Sequence, residues 1–220
     1  MSIHGDSVAD ETAGSGSDPS PRLPPPVVLE PETAAALLRI ARDAVTAAVT
    51  HQRAMPESAA PPLSHAALAA LDEPGAAFVT LTELGSLRGC IGSLVADQPL
   101  GRAVASAGAS AAVRDPRFMP VSQRELPAIH IDVSVLGPAV PLADPLAFRP
   151  GIDGIIVARD GRHALLLPEV ATDQGWGARE MLDAVCGKAG LEGHAWHDPR
   201  TRLSVFRTVR VSETEAPAGG

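Results

Sequence analysis

Two short segments joined by a tight turn constrain the fold of this chain more than any other feature. Residues 77–82 and 86–91 have the length and apolar content of β-strands, and Glu83-Leu84-Gly85 separates them. Two such segments around a short turn that ends in glycine are typical of a β-hairpin. The sequence therefore predicts an antiparallel pair of strands at this point in the chain.

The second of these segments, Leu87-Arg88-Gly89-Cys90-Ile91-Gly92, carries the candidate chemistry. We expect Arg88, Cys90 and Gly92 on one face and the other three residues on the opposite face, because side chains alternate along a strand. A neighbouring cation favours the thiolate, which is the nucleophile and metal ligand. The glycines on both sides of Cys90 indicate a bulge, or a close approach by a ligand or a second backbone. The alternative is structural, with Cys90 as a small core residue and Arg88 as the partner of a carboxylate.

The composition and the net charge of the chain argue against several classes of binding partner. The formal net charge is -8, and residues 27–211 carry 17 basic against 20 acidic residues. Aromatic residues make up only 3% of the chain, so a basic or aromatic surface for nucleic acid is not expected. The N-terminal residues lack the pattern of a signal peptide, and no apolar stretch approaches the length of a membrane span. We therefore expect a cytoplasmic protein that binds neither nucleic acid nor a membrane.

The second cysteine, Cys186, has no sequence-adjacent partner, which argues against a disulfide framework. It lies on the apolar stripe of a predicted helix, where a core role is expected. A metal site with His194 and His197 would need three or four converging ligands. Since two histidines in an exposed loop do not supply these, we predict no metal site.

The rest of the chain gives helical and strand patterns. Helical spacing of apolar residues predicts helices over residues 32–51, 65–71, 99–113 and 178–189. Alternation predicts further strands over residues 129–135, 154–158, 163–167 and 203–211. We expect a disordered tail over residues 1–26, a folded domain over residues 27–211 and a frayed tail over residues 212–220.

The predicted strand over residues 129–135 places His130, Asp132 and Ser134 on its polar face. These are the residue types of a catalytic triad. However, same-face neighbours on one strand are about 7 Å apart, roughly twice hydrogen-bonding distance. Because the members of a triad must converge, we do not expect one here.

Six segments in this order resemble the AMMECR domain family, whose bacterial and archaeal members are called AmmeMemoRadiSam system protein A. The segments are FVTLTELGSLRGCIGSL, AAVRDPRF, IHIDVSVLGP, RPGIDGIIV, LLLPEVATDQGW and CGKAGL. The resemblance extends from about Val27 to Val211, which is nearly everything outside the tails.

The resemblance implies a fold and a set of site residues. Family members are α+β proteins with mostly antiparallel sheets flanked by helices, in a larger and a smaller subdomain with a cleft between them. The signature segment faces that cleft. The matching positions are Arg88, Gly89, Cys90, Gly92, Asp115, Arg117, Phe118, Asp132, Ser134, Trp176 and Lys188. By family association the partners are a Memo-type protein, which resembles extradiol dioxygenases, and a radical S-adenosylmethionine protein, with no cofactor implied for this chain.

Three functions remain open at this point. The first is a component of a multi-protein system, whose cleft with Cys90 and Arg88 binds a small molecule or accepts a partner's product. The second is an enzyme that uses Cys90 as nucleophile and Arg88 to favour the thiolate. The third is a non-catalytic adaptor, in which Cys90 belongs to the core.

Overall fold

The computed structural model of the chain describes residues 24–51 and 62–213. These residues form five α-helices and two four-stranded antiparallel sheets, which confirms the expected α+β fold. The helices are α1 (Pro31–Thr50), α2 (His65–Asp72), α3 (Leu100–Val113), α4 (Pro168–Gln174) and α5 (Ala178–Lys188). The strands are β1 (Ala76–Glu83), β2 (Ser86–Gly92), β3 (Ile129–Leu136), β4 (Val140–Pro141), β5 (Gly154–Arg159), β6 (Arg162–Leu166), β7 (Arg202–Phe206) and β8 (Thr208–Ser212). Most of both predicted tails, residues 1–23 and 214–220, lies outside the described residues.

Four of these helices lie where helical spacing predicted them, and α4 is an addition. It has seven residues, which is too short for a helical period to show in the sequence. Pro168 occupies its first turn, where the missing N–H costs nothing. None of the described helices combines the length and the apolar character that a membrane crossing requires.

The first sheet has the strand order β2-β1-β3-β8 and packs one face against α1 and α3. Alternate residues of its two central strands are fully buried on that face, among them Val79, Leu81, Ile131 and Val133. Since side chains alternate along a strand, the intervening residues of β1 and β3 lie on the other face. The core of α1 and α3 therefore leaves the other face of this sheet to the polar residues of β1 and β3 and to Phe78.

The second sheet has the order β4-β7-β5-β6 and packs against α5. Cys186 is fully buried in this core, and burial raises the pKa of its thiol. The expected loop around His194 and His197 is a short 3-10 helix, Gly193–His197, which buries Trp196. Within the described residues no group of three or more His, Cys, Asp and Glu side chains is placed to hold a metal ion.

The predicted single strand over residues 203–211 is wrong, because the chain changes sheet at Arg207. Strand β7 belongs to the second sheet and β8 to the first. The guanidinium of Arg207 donates to the fully buried carboxylate of Asp153 at 3.2 Å, and its carbonyl accepts the N–H of Gly137 at 2.8 Å. Apolar residues occupy odd-numbered positions on both sides of the crossing, and only Arg207 interrupts them. One polar residue within an alternating pattern is compatible with a single strand, so the pattern alone does not reveal the break.

The first residues of the predicted C-terminal tail are ordered by specific contacts. Ser212 ends β8 and donates to Asp132, and Glu213 forms an ion pair with Arg42 of α1. Glu213 also accepts the backbone N–H of Ile131 at 2.9 Å. The sheet therefore extends past the predicted boundary at residue 211.

The hairpin turn between β1 and β2 contains two residues in the left-handed region. The backbone φ is 51° at Leu84 and 79° at Gly85, as in a type I′ turn. Glycine accepts this conformation freely, whereas leucine does not. The Leu84 side chain is also 92% exposed, so no packing offsets this conformational cost.

We expect Leu84→Asn to raise the free energy of unfolding by about 1 kcal/mol, because Asn-Gly is the preferred pair for this turn. Urea denaturation of the full chain measures the change. The control is Leu84→Ala, which keeps the β-carbon and should change stability little. Equal effects of the two variants would contradict the explanation.

Candidate functional site

A β-bulge at Arg88 sets the geometry of the signature segment. Leu81 of β1 lies opposite Gly89 and Thr82 lies opposite Leu87, so Arg88 is the extra residue. The bulge that the glycines indicated is therefore present. It reverses the alternation, and the prediction that Leu87 and Gly89 share a face is wrong.

The guanidinium of Arg88 binds the loop that follows α3. Its Nε donates to Glu125 Oε1 at 2.7 Å, and its two terminal nitrogens donate to the carbonyls of Met119 and Pro120 at 2.7 and 3.2 Å. The hydrogen bond from Arg88, followed by that from the Ser122 backbone, lowers the pKa of Glu125 to about 2. All three nitrogens of Arg88 are thus engaged, and the expected pairing of Arg88 with the Cys90 thiol does not form.

The backbone of Cys90 is held by Asp115 and Arg117. The Cys90 N–H donates to Asp115 Oδ2 at 2.8 Å, and Arg117 Nη2 donates to the Cys90 carbonyl at 3.2 Å. The same guanidinium donates to both oxygens of Asp115, at 2.9 and 2.7 Å. The hydrogen bond from Arg117 holds the pKa of the buried Asp115 well below its usual range, against the opposing effect of burial.

The thiol of Cys90 is half-buried and has two polar neighbours. Thr80, directly opposite on β1, donates its hydroxyl to Cys90 Sγ at 3.3 Å. The Arg117 side chain also interacts with Cys90, and this contact adds to the larger effect of Asp115 in raising the pKa of Arg117. The cation beside Cys90 is therefore Arg117, which also binds the Cys90 carbonyl.

The two glycines around Cys90 are required by packing within the chain. A β-carbon on Gly89 would lie 2.3 Å from the carbonyl oxygen of Ala111 in α3. A β-carbon on Gly92 would lie 2.4 Å from the ring of Phe78. Close approach of other parts of the chain accounts for both residues, and no ligand is needed to explain them.

The polar face continues from Cys90 across the sheet. Asp132 of β3 lies opposite Thr80, on the same face, and its carboxylate accepts hydrogen bonds from Arg210 and Ser212 of β8. Burial raises the pKa of Asp132, but these hydrogen bonds outweigh it and the pKa lies below its usual value. Strands are spaced by about 4.8 Å, which places Asp132 about 10 Å from Cys90.

Ser134 and His130 flank Asp132 on this face. Ser134 is buried and lies opposite Phe78. His130 Nε2 lies 3.7 Å from Asp132 Oδ1. This distance is shorter than the separation of about 7 Å between same-face neighbours along a strand, but it is too long for a hydrogen bond. The set of Ser, His and Asp side chains does not converge as a triad does.

The remaining predicted positions are distributed over both sheets. Phe118 lies beneath Arg117, whose guanidinium carbon is 5.3 Å from the ring centroid. Lys188 is exposed at the end of α5 and Trp176 packs in the core of the second sheet, so neither joins the group around Cys90.

Two residues of this polar face, Thr80 and Arg210, were not identified from the sequence. The hairpin register could have identified Thr80, because it pairs with Cys90 once the bulge is recognised.

We expect Gly89→Ala to lower the free energy of unfolding by about 2 kcal/mol, because the added methyl group meets the α3 backbone. Chemical denaturation of the full chain measures it. The matched control is Gly187→Ala, in an open position of α5, which should be neutral or slightly stabilising. Equal losses of stability in the two variants would contradict the explanation that Gly89 is required by its contact with α3.

We expect Glu125→Gln to lower the stability at pH 7 by about 1 kcal/mol, because the charged hydrogen bond to Arg88 is lost. The pKa of Glu125 is lower in the folded chain, so its stabilising effect is complete above about pH 4.5 and is lost as the pH falls towards 2. The difference from the wild-type chain should shrink over that range in urea titrations. The exposed Glu192→Gln should show no such trend, and a pH-independent difference for Glu125→Gln would contradict the prediction.

Known proteins match both this sequence and this fold. The sequence model of the AMMECR1 family matches residues 38–211. A relative from Methanothermobacter thermautotrophicus is 48% identical over 136 residues, which are 59% of this chain and 71% of the relative. Another, from Aeropyrum pernix, is 39% identical and covers 88% of this chain and 85% of its own. The crystal structure of the uncharacterized protein PH0010 from Pyrococcus horikoshii matches with a TM-score of 0.76 and 33% identity, over 87% of this chain and 96% of that chain. The chain belongs to the AMMECR1 family.

Proposed function

We propose that this chain is the AMMECR-type component of an AmmeMemoRadiSam-type system, which acts in the cytoplasm with a Memo-like protein and a radical S-adenosylmethionine protein. In this role the sheet face around Cys90 binds a small molecule or accepts the product of a partner. The observation that carries the proposal is the half-buried thiol, which has the Thr80 hydroxyl and the Arg117 guanidinium beside it.

The surroundings of the thiol support a binding role. The row from Cys90 through Thr80 and Asp132 to Ser212 contains only polar or thiol side chains. Arg210 of β8 pairs with Asp132 and is also influenced electrostatically by the acidic groups Glu169 and Asp173 of α4. A strip of polar side chains suits a small polar molecule.

A second candidate is an enzyme with Cys90 as nucleophile, and the contact with Arg117 favours it. Such an enzyme also needs a general base within hydrogen-bonding reach of the thiol. His130 of β3 lies opposite Thr82, not opposite the partner of Cys90, and is two strands away. Two strand spacings and an offset of two residues separate the backbones of His130 and Cys90 by about 12 Å, which is too far for that base, so the geometry supports binding better than nucleophilic catalysis.

We expect Cys90→Ser to lose a small molecule that co-purifies with the wild-type chain, because the thiol is the reactive group of the face. Stability should change by less than about 1 kcal/mol, since serine can accept the same hydrogen bond from Thr80. Affinity purification of the full chain from its native cells, followed by mass spectrometry of associated proteins and small molecules, measures the loss.

The control for this experiment is Ser106→Ala, on the exposed side of α3. It should retain both the small molecule and any associated proteins. If Cys90→Ser kept the same proteins and small molecules as the wild-type chain, the proposed role of the thiol would be lost.

A further inference from the structure

We infer that the molecule bound at the Cys90 face carries an anionic oxygen group, a carboxylate or a phosphate, and that Arg117 binds this group beside the thiol. The inference rests on the proposed function, because it names the chemical class of the ligand at that same site. Three features of the structure lead to it: the fixed orientation of Arg117, its unused donors and the local charge.

The guanidinium of Arg117 is held in one orientation. Asp115 accepts hydrogen bonds from its Nε and Nη2, and the Cys90 carbonyl accepts a further one from Nη2. The ring of Phe118 supports the group from one side at 5.3 Å. An arginine that is already fixed loses little conformational freedom when an anion binds.

One edge of this guanidinium remains for a ligand. Among the described residues, no oxygen accepts a hydrogen bond from Arg117 Nη1, and the side chain is 53% exposed. Arg88 differs, because its three nitrogens all donate to oxygens of the loop. The Arg88 side chain is also only 15% exposed, so Arg117 presents the more accessible N–H groups to an incoming molecule, and it does so beside Cys90, whose carbonyl it already binds.

The charge around Arg117 favours an anion. The loop of residues 115–125, which covers the edge of β2, contains Arg117 and Arg124 against Asp115 and Glu125, and it also binds Arg88. These three arginines and two carboxylates sum to a formal charge of +1 in a chain of net charge -8, so an anionic group is attracted to this part of the surface.

Two alkylating reagents test the inference directly. Iodoacetate and iodoacetamide both react when a thiolate attacks their CH₂ group and iodide leaves, but only iodoacetate carries a carboxylate. Mass spectrometry of the full chain gives the rate for Cys90 with each reagent, and the buried Cys186 serves as an internal control that should not react. We expect the ratio of the iodoacetate rate to the iodoacetamide rate to fall by at least about tenfold in Arg117→Gln, which is the cost of one charged hydrogen bond.

The matched control is Arg102→Gln, which removes an exposed arginine from the N-terminal part of α3. Its rate ratio should stay within about twofold of the wild-type ratio, because the screened charge lies away from the loop. A ratio that fell as far as in Arg117→Gln would show that net charge alone sets the preference, and would overturn the inference.

A competition experiment on the wild-type chain needs no variant and remains decisive if Arg117→Gln does not fold. Inorganic phosphate or acetate, at ionic strength matched with chloride, should slow alkylation of Cys90 by iodoacetate. Stronger protection by phosphate supports a phosphorylated ligand, and stronger protection by acetate supports a carboxylate ligand. Absence of protection by both anions would overturn the inference.

The two proposals fail in different ways. If Cys90 reacts with iodoacetamide but shows the same rate ratio in the wild-type chain and in Arg117→Gln, the anion inference is wrong and the proposed function stands. If Cys90 reacts with neither reagent in the native chain, the thiol is not accessible, and both the proposed function and the inference are wrong.

Discussion

The free edge of β2 is the constraint on which the candidate site depends. An edge strand exposes backbone groups that can pair with another chain, and proteins commonly cover such edges. Here Asp115 accepts a hydrogen bond from the Cys90 N–H, and Arg117 donates one to the Cys90 carbonyl. This residue pair therefore makes the hydrogen bonds that a neighbouring strand would make. Because both bonds reach the backbone of Cys90, the contacts that protect the sheet edge also fix the position of the thiol.

The two arginines near this edge have different tasks. The bulge directs Arg88 to the loop after α3, where it binds two carbonyl groups and Glu125. These contacts hold the loop in a position in which Asp115 and Arg117 bind the backbone of Cys90. The ion pair of Asp115 and Arg117 joins a buried carboxylate to a half-exposed guanidinium, so solvent screens part of the attraction and desolvation of Asp115 opposes it. The pair is therefore better explained as a positioning device than as a source of stability.

Local patterns in the sequence predict the hairpin, most helices and the polar face of β3, because each depends on neighbouring residues. They fail where a contact joins distant parts of the chain. Arg88 is two residues from Cys90 in sequence and alternation predicts a shared face, yet the bulge directs Arg88 to the loop and Arg117 lies beside Cys90 instead. Likewise, the alternation is interrupted at Arg207 alone, and the change of sheet there depends on its contacts with the distant residues Asp153 and Gly137.

At Arg207 the chain passes from the second sheet to β8, the strand whose side chains contact the polar face of the first sheet. One face of the first sheet is occupied by α1 and α3, so polar side chains of its central strands lie on the other face. Polar residues on a fully solvated face would be exposed, but Asp132 and Ser134 are only 2% and 3% exposed. Arg210 of β8 covers Asp132 and is itself influenced by the acidic groups of α4. Side chains of the strand that returns from the second sheet therefore shelter Asp132, and a sheltered carboxylate can distinguish ligands by hydrogen bonding in a way that an exposed one cannot.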